Sequence, residues 1–296
     1  AHVFGRSFVT SLLATALACH PALGQQPPRA ATTARLDSLS RAFVAGRQAP
    51  GLAVFVLRGS DTLLLGGYGY SNLEDSVAVT PRTVFRIGSL TKQFTAALVL
   101  QLAQDGRLSL DDTIQRFVPA FPTQGHRVTL RHLLTHTSGI RDYTTLGAEW
   151  QRVARLDLPH DSVLALFATK PFDFAPGERF LYDNSGYYLL GMVVERAGGR
   201  PFDRLLGERI ASPLGLADTR YCYTQPLIPH RAQGYARAGG SFVNAEQRSF
   251  VLPFAGGGLC STAPDLVAWT RALWAGRVIQ QAGLAEPDSY ERLLEA

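Results

Sequence analysis

Ser89 and Lys92 stand at the head of an apolar stretch, in Gly88-Ser-Leu-Thr-Lys92. In a helix this spacing puts the hydroxyl and the amine on one face, one turn apart. Three effects would then meet at the hydroxyl. A helix N-terminus favours developing negative charge. Apolar surroundings disfavour a charged lysine and lower its pKa. An amine within hydrogen-bond reach assists removal of the serine proton. Together they describe an activated serine hydroxyl, a candidate nucleophile. The choice of basic residue sharpens this: of 29 basic residues only Lys92 and Lys170 are lysine. Arginine stays protonated in proteins whereas lysine can release its proton, so a lysine at this place fits proton handling. Taken alone, S-x-x-K also describes a serine cap followed by a surface lysine.

A second group is Tyr182-Asp-Asn184, just ahead of the apolar segment Gly186 to Ala197. A phenol can act as general base where cations lower its pKa. An asparagine carries both a donor and an acceptor to hold an acyl amide. By themselves these residues are also an aromatic anchor and an Asn cap. Other patterns point to structural use. His132 and His136 have zinc-helix spacing but lack the glutamate a metalloprotease needs. Ser138, Ser185 and Ser261 sit in loop contexts that favour capping. No Gly-x-Ser-x-Gly elbow supports an α/β-hydrolase fold. Gly256-Gly-Gly258 lacks the Lys-Ser/Thr pair of a phosphate loop and reads as a flexible connection. Tyr187 and Tyr188 read as core.

These residues need elements to position them. Thr33 can cap a helix through Leu36, Leu39, Phe43 and Val44 that ends near Gly46. Residues 51–58 and 61–65 read as strands joined by the tight turn Gly59-Ser60. Glycines 66, 67 and 69 suggest a strand that bends or meets close neighbours. Residues 73–83 read as a loop and 84–87 as a short extended segment. A helix then runs from about Ser89 to Asp105, stopped by Gly106. Its middle, Phe94 to Leu102, is apolar on nearly every side, which requires burial. Further helices are expected at 130–136 (capped by Thr129), 161–168, 186–197, 202–210 and 264–273, the last with Thr262 and Asp265 as an acidic capping box. The last third offers few further strand candidates.

With both groups in place, Ser89-Leu-Thr-Lys92 and Tyr182-Asp-Asn184 resemble the first two motifs of serine β-lactamases and penicillin-binding proteins. The Y-x-N form resembles the class C branch and its D-aminopeptidase, carboxypeptidase and esterase members. Val128 to Gly139, Pro176-Gly-Glu178, Ser185 to Gly191, Pro213 to Leu216 and Gly257 to Thr262 also resemble segments of such proteins, so the likeness covers about 51–275. It implies an α/β fold of β-lactamase/transpeptidase type: an antiparallel sheet with flanking helices from both chain ends, plus an all-helical region from the middle. It implies Ser89 as nucleophile, Lys92 and Tyr182 as activating groups with the base left open, Asn184 as a substrate-binding residue, and no metal or organic cofactor. The substrate would be a β-lactam, a D-amino-acid peptide or an ester, from the small-molecule or peptidoglycan-derived class. The family's third motif, Lys/His-Ser/Thr-Gly or His-x-Gly on a late strand, has no match after Tyr182. The expectation is a sequence that stops early, lacks C-terminal strands and has little or no hydrolase activity. A non-catalytic protein that keeps the pocket to bind cell-wall peptide or a protein partner is the alternative.

Bulk properties bound the rest. The 296 residues are 46% hydrophobic and 18% charged, ordinary for a globular chain. A net charge of +5 without like-charge runs suggests solubility and excludes a nucleic-acid partner as the main reading. A monomer is expected. Arg6, the apolar run Phe8 to Ala18 and the small residues around Leu23 read as a signal peptide over 1–24, with Gln25 opening the mature chain and a polar leader to Ala31. Cys19 admits a lipoprotein variant, disfavoured by Ala16 where a larger aliphatic is usual. No later stretch is long and apolar enough for a membrane helix. The hydrolase domain then spans 25–296, with a sheet part over about 32–88 and a helical region over about 89–260. A periplasmic or secreted setting is oxidising, and only Cys222 and Cys260 remain after signal removal, so they are expected to pair.

Overall fold

The computed structural model describes residues 28–279. The expected signal segment and Cys19 lie outside the described residues. The described residues open with helix α1 (Arg29–Ala45) and strands β1 (Gly51–Arg58), β2 (Asp61–Asn72) and β3 (Val77–Ala78). Then follow β4 (Phe85–Arg86), a 3-10 turn Gly88–Leu90 and helix α2 (Thr91–Gln104). The middle carries α3 (Leu130–Leu134), α4 (Ala148–Val153), α5 (His160–Phe167) and α6 (Asn184–Gly198). After it come α7 (Phe202–Leu206), a wide π turn, α8 (Ser212–Leu214) and β5 (Arg220–Tyr221). The rest is β6 (Tyr235–Ala238), β7 (Ser241–Asn244), α9 (Phe254–Gly257), β8 (Leu259–Ser261) and α10 (Ala263–Trp274).

Strands β1, β2 and β3 form an antiparallel sheet in that order. Gly59 takes φ +55° in the β1–β2 turn, with Arg58 opposite Asp61, a conformation glycine adopts without steric cost. Strand β2 does not stop at residue 65, because its glycines serve close approach. A Cβ at Gly67 would lie 2.5 Å from the Val79 carbonyl oxygen, and one at Gly69 would lie 2.3 Å from that of Pro50. Helix α1 begins ahead of Thr33, at Arg29. The Thr33 hydroxyl donates instead to the Leu63 carbonyl (2.8 Å) and ties α1 to β2. Helices α1 and α10 both flank this sheet, so its cover comes from the two ends of the described chain. The chain folds as mixed helices and antiparallel sheets.

The extended segment expected at 84–87 contains β4, but the second sheet it joins, β4-β8-β5, was not expected. Its strands are two or three residues long, too short for a periodicity signal. It is all the same the frame of the site. Phe85 pairs with Ser261, and Arg86 and Arg220 both pair with Cys260. The Cys222 and Cys260 sulfurs are bonded to each other, with Cα atoms 5.2 Å apart. The β6–β7 hairpin was likewise not anticipated.

Helix α2 is the centre of the core. Every residue from Phe94 to Leu100 is buried, as are Thr91, Lys92 and Leu102. The Phe94 ring stacks on Trp269 of α10 at 4.1 Å, and α6 and α9 pack against the helix. The segment 256–258 is not the flexible connection expected of three glycines. It belongs to a buried helical turn on α6, packed so closely that a Cβ at Gly191 would lie 2.3 Å from the Phe254 ring. At Gly191 glycine is used because a side chain would run into the Phe254 ring.

Candidate active site

Ser89 is exposed in the 3-10 turn that leads into α2, and Lys92 lies buried on the first turn of that helix. Their side chains meet: Lys92 Nζ is 3.4 Å from Ser89 Oγ. Tyr182, half-exposed just ahead of α6, donates its phenol to Ser89 Oγ at 2.6 Å. Lys92 Nζ also donates to Asn184 Oδ1 at 2.9 Å and to the Gly256 carbonyl at 2.8 Å. It lies over the Tyr182 and Tyr187 rings, at 4.7 and 5.3 Å from their centroids. The structure thus brings Ser89, Lys92, Tyr182 and Asn184 into one cluster. The cysteine pair lies apart from it, in the second sheet.

Local sequence explains why the two helix ends converge. Thr91 Oγ1 accepts from the Leu259 N–H and Thr95 Oγ1 donates to the Ala255 carbonyl, so α2 is tied to β8 and α9 on the face that carries Lys92. On the other side Asp183 caps α6, its carboxylate accepting from the Ser185 and Gly186 N–H groups. The cap starts the helix at Asn184, not Gly186, which sets Asn184 on its first turn beside Lys92. Gly186 has room for no Cβ, since one would lie 2.9 Å from the Asp183 carboxylate.

Asn184 was expected to hold an acyl amide. Both of its N–H donors are instead engaged inside the protein, with Asp142 Oδ2 (2.9 Å) and Thr144 Oγ1 (3.2 Å). A buried carboxylate and a partly buried hydroxyl within reach engage both amide hydrogens. His132 and His136 do not share a ligand. The His132 ring and Thr129 complete a capping box at α3, and His136 Nδ1 accepts from the Asp183 N–H at 3.0 Å. The His136 ring stacks on Tyr182 at 4.6 Å and holds that phenol's ring in place. Ser138 and Ser185 serve neighbouring main chain and Asp183, and Ser261 meets Thr219. Among the described residues no cluster of three His, Cys, Asp or Glu is placed to hold a metal ion, and no helix is long and apolar enough to cross a membrane.

The electrostatics follow from burial. Desolvation lowers the Lys92 ammonium to about 8, against the opposing pull of Asp142 and Asp183. Burial raises the Tyr182 phenol, with its Ser89 hydrogen bond working the other way. Desolvation, then the Lys92 charge, lowers His136 to about 4, so it is a neutral ring at working pH. Asp183, wholly buried and facing Asp142, is raised to about 7. Perturbed groups gathered round one exposed hydroxyl mark a functional site.

Sequence reasoning missed Asp142, Thr144 and the Gly256 carbonyl, and read His136 as structural only. Asp142 lies in a loop shortly after Gly139 and matches no pattern. Two further signs appear only in the backbone: His136 and Phe254, flanking the site, take φ +55° and +42°, unusual for residues with a side chain.

The chain is similar to known proteins over most of its length. Residues 36–293 match the Beta-lactamase family. Penicillin-binding protein 4* of Bacillus subtilis (strain 168) is 33% identical over 202 residues, 68% of this chain and 44% of that protein. The chain spans about half the length of the curated relatives it matches. The crystal structure of D-amino acid amidase from Ochrobactrum anthropi SV3 is 28% identical, with a TM-score of 0.74 over 89% of this chain and 73% of that one. EstCE1, a hydrolase with promiscuous acyltransferase activity, has a TM-score of 0.77 over 86% of this chain and 76% of that one; at 23% identity it shares the fold.

Proposed function

From the premise that the chain belongs to the β-lactamase family, we propose that it is a serine hydrolase that works through an acyl-enzyme on Ser89. The observation that carries the reading is the double contact of Ser89 Oγ, with Tyr182 Oη at 2.6 Å and Lys92 Nζ at 3.4 Å. Such a hydroxyl has a base and a proton carrier both in reach.

Lys92 is the base in this reading. A lysine at about 8 is neutral in roughly a tenth of molecules at pH 7, whereas a phenol raised by burial is almost never ionised there. Ser89 Oγ bonds to the substrate carbonyl carbon as its proton passes to Lys92 Nζ. The carbon–nitrogen or carbon–oxygen bond to the leaving group then breaks, and the leaving group takes a proton from the Tyr182 phenol, which Lys92 resupplies. Water attacks the ester on Ser89 by the same relay reversed. The substrates proposed are D-amino-acid amides or peptides, β-lactams and simple esters. The similarity to a D-amino acid amidase supports the first of these. The apolar run Phe8 to Ala18 supports export to the periplasm or beyond; N-terminal sequencing of protein recovered outside the cytoplasm should begin at Gln25.

The test is labelling with a fluorophosphonate followed by mass spectrometry of the adduct. Label on Ser89, lost in Ser89→Ala, is expected, with turnover of at least one of a D-phenylalanine amide, a chromogenic cephalosporin and a p-nitrophenyl ester. Label confined to Ser138, Ser185 or Ser261 would sink the assignment.

A further inference from the structure

Asp142 touches neither Ser89 nor Tyr182, yet it is the acceptor on which the buried side of the site is built. It lies 8% exposed between α3 and α4. Its Oδ1 accepts from the Thr144 N–H and hydroxyl, both at 2.8 Å, and its Oδ2 accepts from Asn184 Nδ2 at 2.9 Å. Asn184 Oδ1 in turn accepts from Lys92 Nζ. This chain runs in one direction only. A carboxylate can only accept and an ammonium can only donate, so an amide held between them has one permitted orientation. We infer that Asp142 is the positioning residue of the site: it holds the Asn184 amide with its oxygen towards Lys92 and thereby aims the lysine at Ser89.

A cap would explain the Thr144 contacts, but not the bond to Asn184, which comes from another element. The other charged or titratable groups facing Lys92 are Asp183 ahead of α6, His136 after α3, and the Tyr182 and Tyr187 rings. Of these, Asp142 and Asp183 are the two whose charge favours the ammonium. Loss of the Asp142 charge therefore lowers the pKa of Lys92 as well as freeing the amide to turn.

The inference rests on the acyl-transfer reading, and its test has a readout that does not. The chain contains two lysines, Lys92 and Lys170, so protein labelled with ε-13C lysine gives two signals that titrate separately. In Asp142→Asn, which keeps a good capping oxygen, the Lys92 midpoint should fall by about one pH unit while Lys170, paired with Glu149, stays in place. Acylation by a p-nitrophenyl ester is then compared above the Lys92 midpoint of every variant, where the lysine is neutral throughout. Asp142→Asn and Asn184→Ala should each lose about tenfold to a hundredfold, and the double variant no more than the worse single one, because both break the same chain. An unmoved Lys92 midpoint, or losses that multiply, would overturn the inference. Should Asp142→Asn not reach the wild-type circular dichroism spectrum, Asp142→Ser keeps a capping oxygen, removes the charge and is read in the same way. Absence of acylation in the wild type as well would count against the acyl-transfer reading, and the lysine titration would still decide the part played by Asp142.

Discussion

A serine at the surface of a helix N-terminus becomes a nucleophile only if its proton has a destination, and at Ser89 two groups compete for it. Their environments differ in sign. Burial disfavours the charged state of each, which lowers the Lys92 ammonium to about 8 and raises the Tyr182 phenol. The rate of acylation should therefore rise with pH, about tenfold per unit, and level off above pH 8 as the lysine loses its proton. Stopped-flow acylation by a p-nitrophenyl ester measures this. A rise that continues past pH 10 would assign the base to the phenol. The same argument makes Lys92→Arg a severe change. Arginine keeps the charge but not the proton transfer, so a loss of at least about a hundredfold in acylation is expected. Lys170→Arg, at a half-buried ion pair with Glu149, should leave the rate within twofold or so.

Two elements carry the site, and each depends on a residue that keeps its neighbour at the right distance. Gly191 on α6 leaves space for the Phe254 ring and Ala255, and the turn that follows presents the Gly256 carbonyl to Lys92. Gly191→Ala should destabilise the fold by about 1–3 kcal/mol through overpacking, seen in urea unfolding, and should lower acylation as well. Gly207, where a Cβ meets nothing within 4 Å, is the control: alanine there should be neutral or slightly stabilising. The cap of α6 has its own signature. Asp183 titrates near 3.8 in an unfolded chain and is raised to about 7 in the fold. Between those values the folded state binds more protons, so this group's contribution to stability is present at low pH and is lost as pH rises through about 4 to 7. Asp183→Asn retains a capping oxygen and removes that slope; urea midpoints at pH 4.5, 6 and 7.5 test it, and an unchanged slope would show that Asp183 is ionised throughout.

For the whole molecule, the Cys222–Cys260 bond encloses a loop with a sequence separation of 38 and joins the end of β5 to the middle of β8. By the chain-entropy treatment it stabilises the fold by about 4 kcal/mol. The double alanine variant should unfold at correspondingly lower urea. It should also lose acylation before it loses helical signal, because β8 is the continuation of the turn that holds Lys92. Titration of denatured, unreduced protein should find neither of these two thiols free.

The residues that meet in the candidate site were legible in the sequence because their pattern is local. Ser89 and Lys92 lie one turn apart on a segment too apolar to be anywhere but inside, whereas the cap of α6, read as an asparagine, is Asp183. Helices α2, α6 and α10 and the β1–β2 hairpin were legible for the same reason: period, caps and turn residues are written within a few positions of one another. What the tertiary structure alone decided is everything that depends on contacts between distant residues. The three short strands of the second sheet have no periodicity of their own and exist because β8 lies between β4 and β5. The glycines at 256–258 read as a loose connection, and became a packed turn because α6 offers a glycine opposite them. Asp142 carries no motif, and its carboxylate acquires a purpose only when α6 brings Asn184 to it and α2 brings Lys92 to Asn184. Local sequence can place a nucleophile at the end of a helix; which groups surround it, and how far burial shifts their protons, is a property of the packed interior.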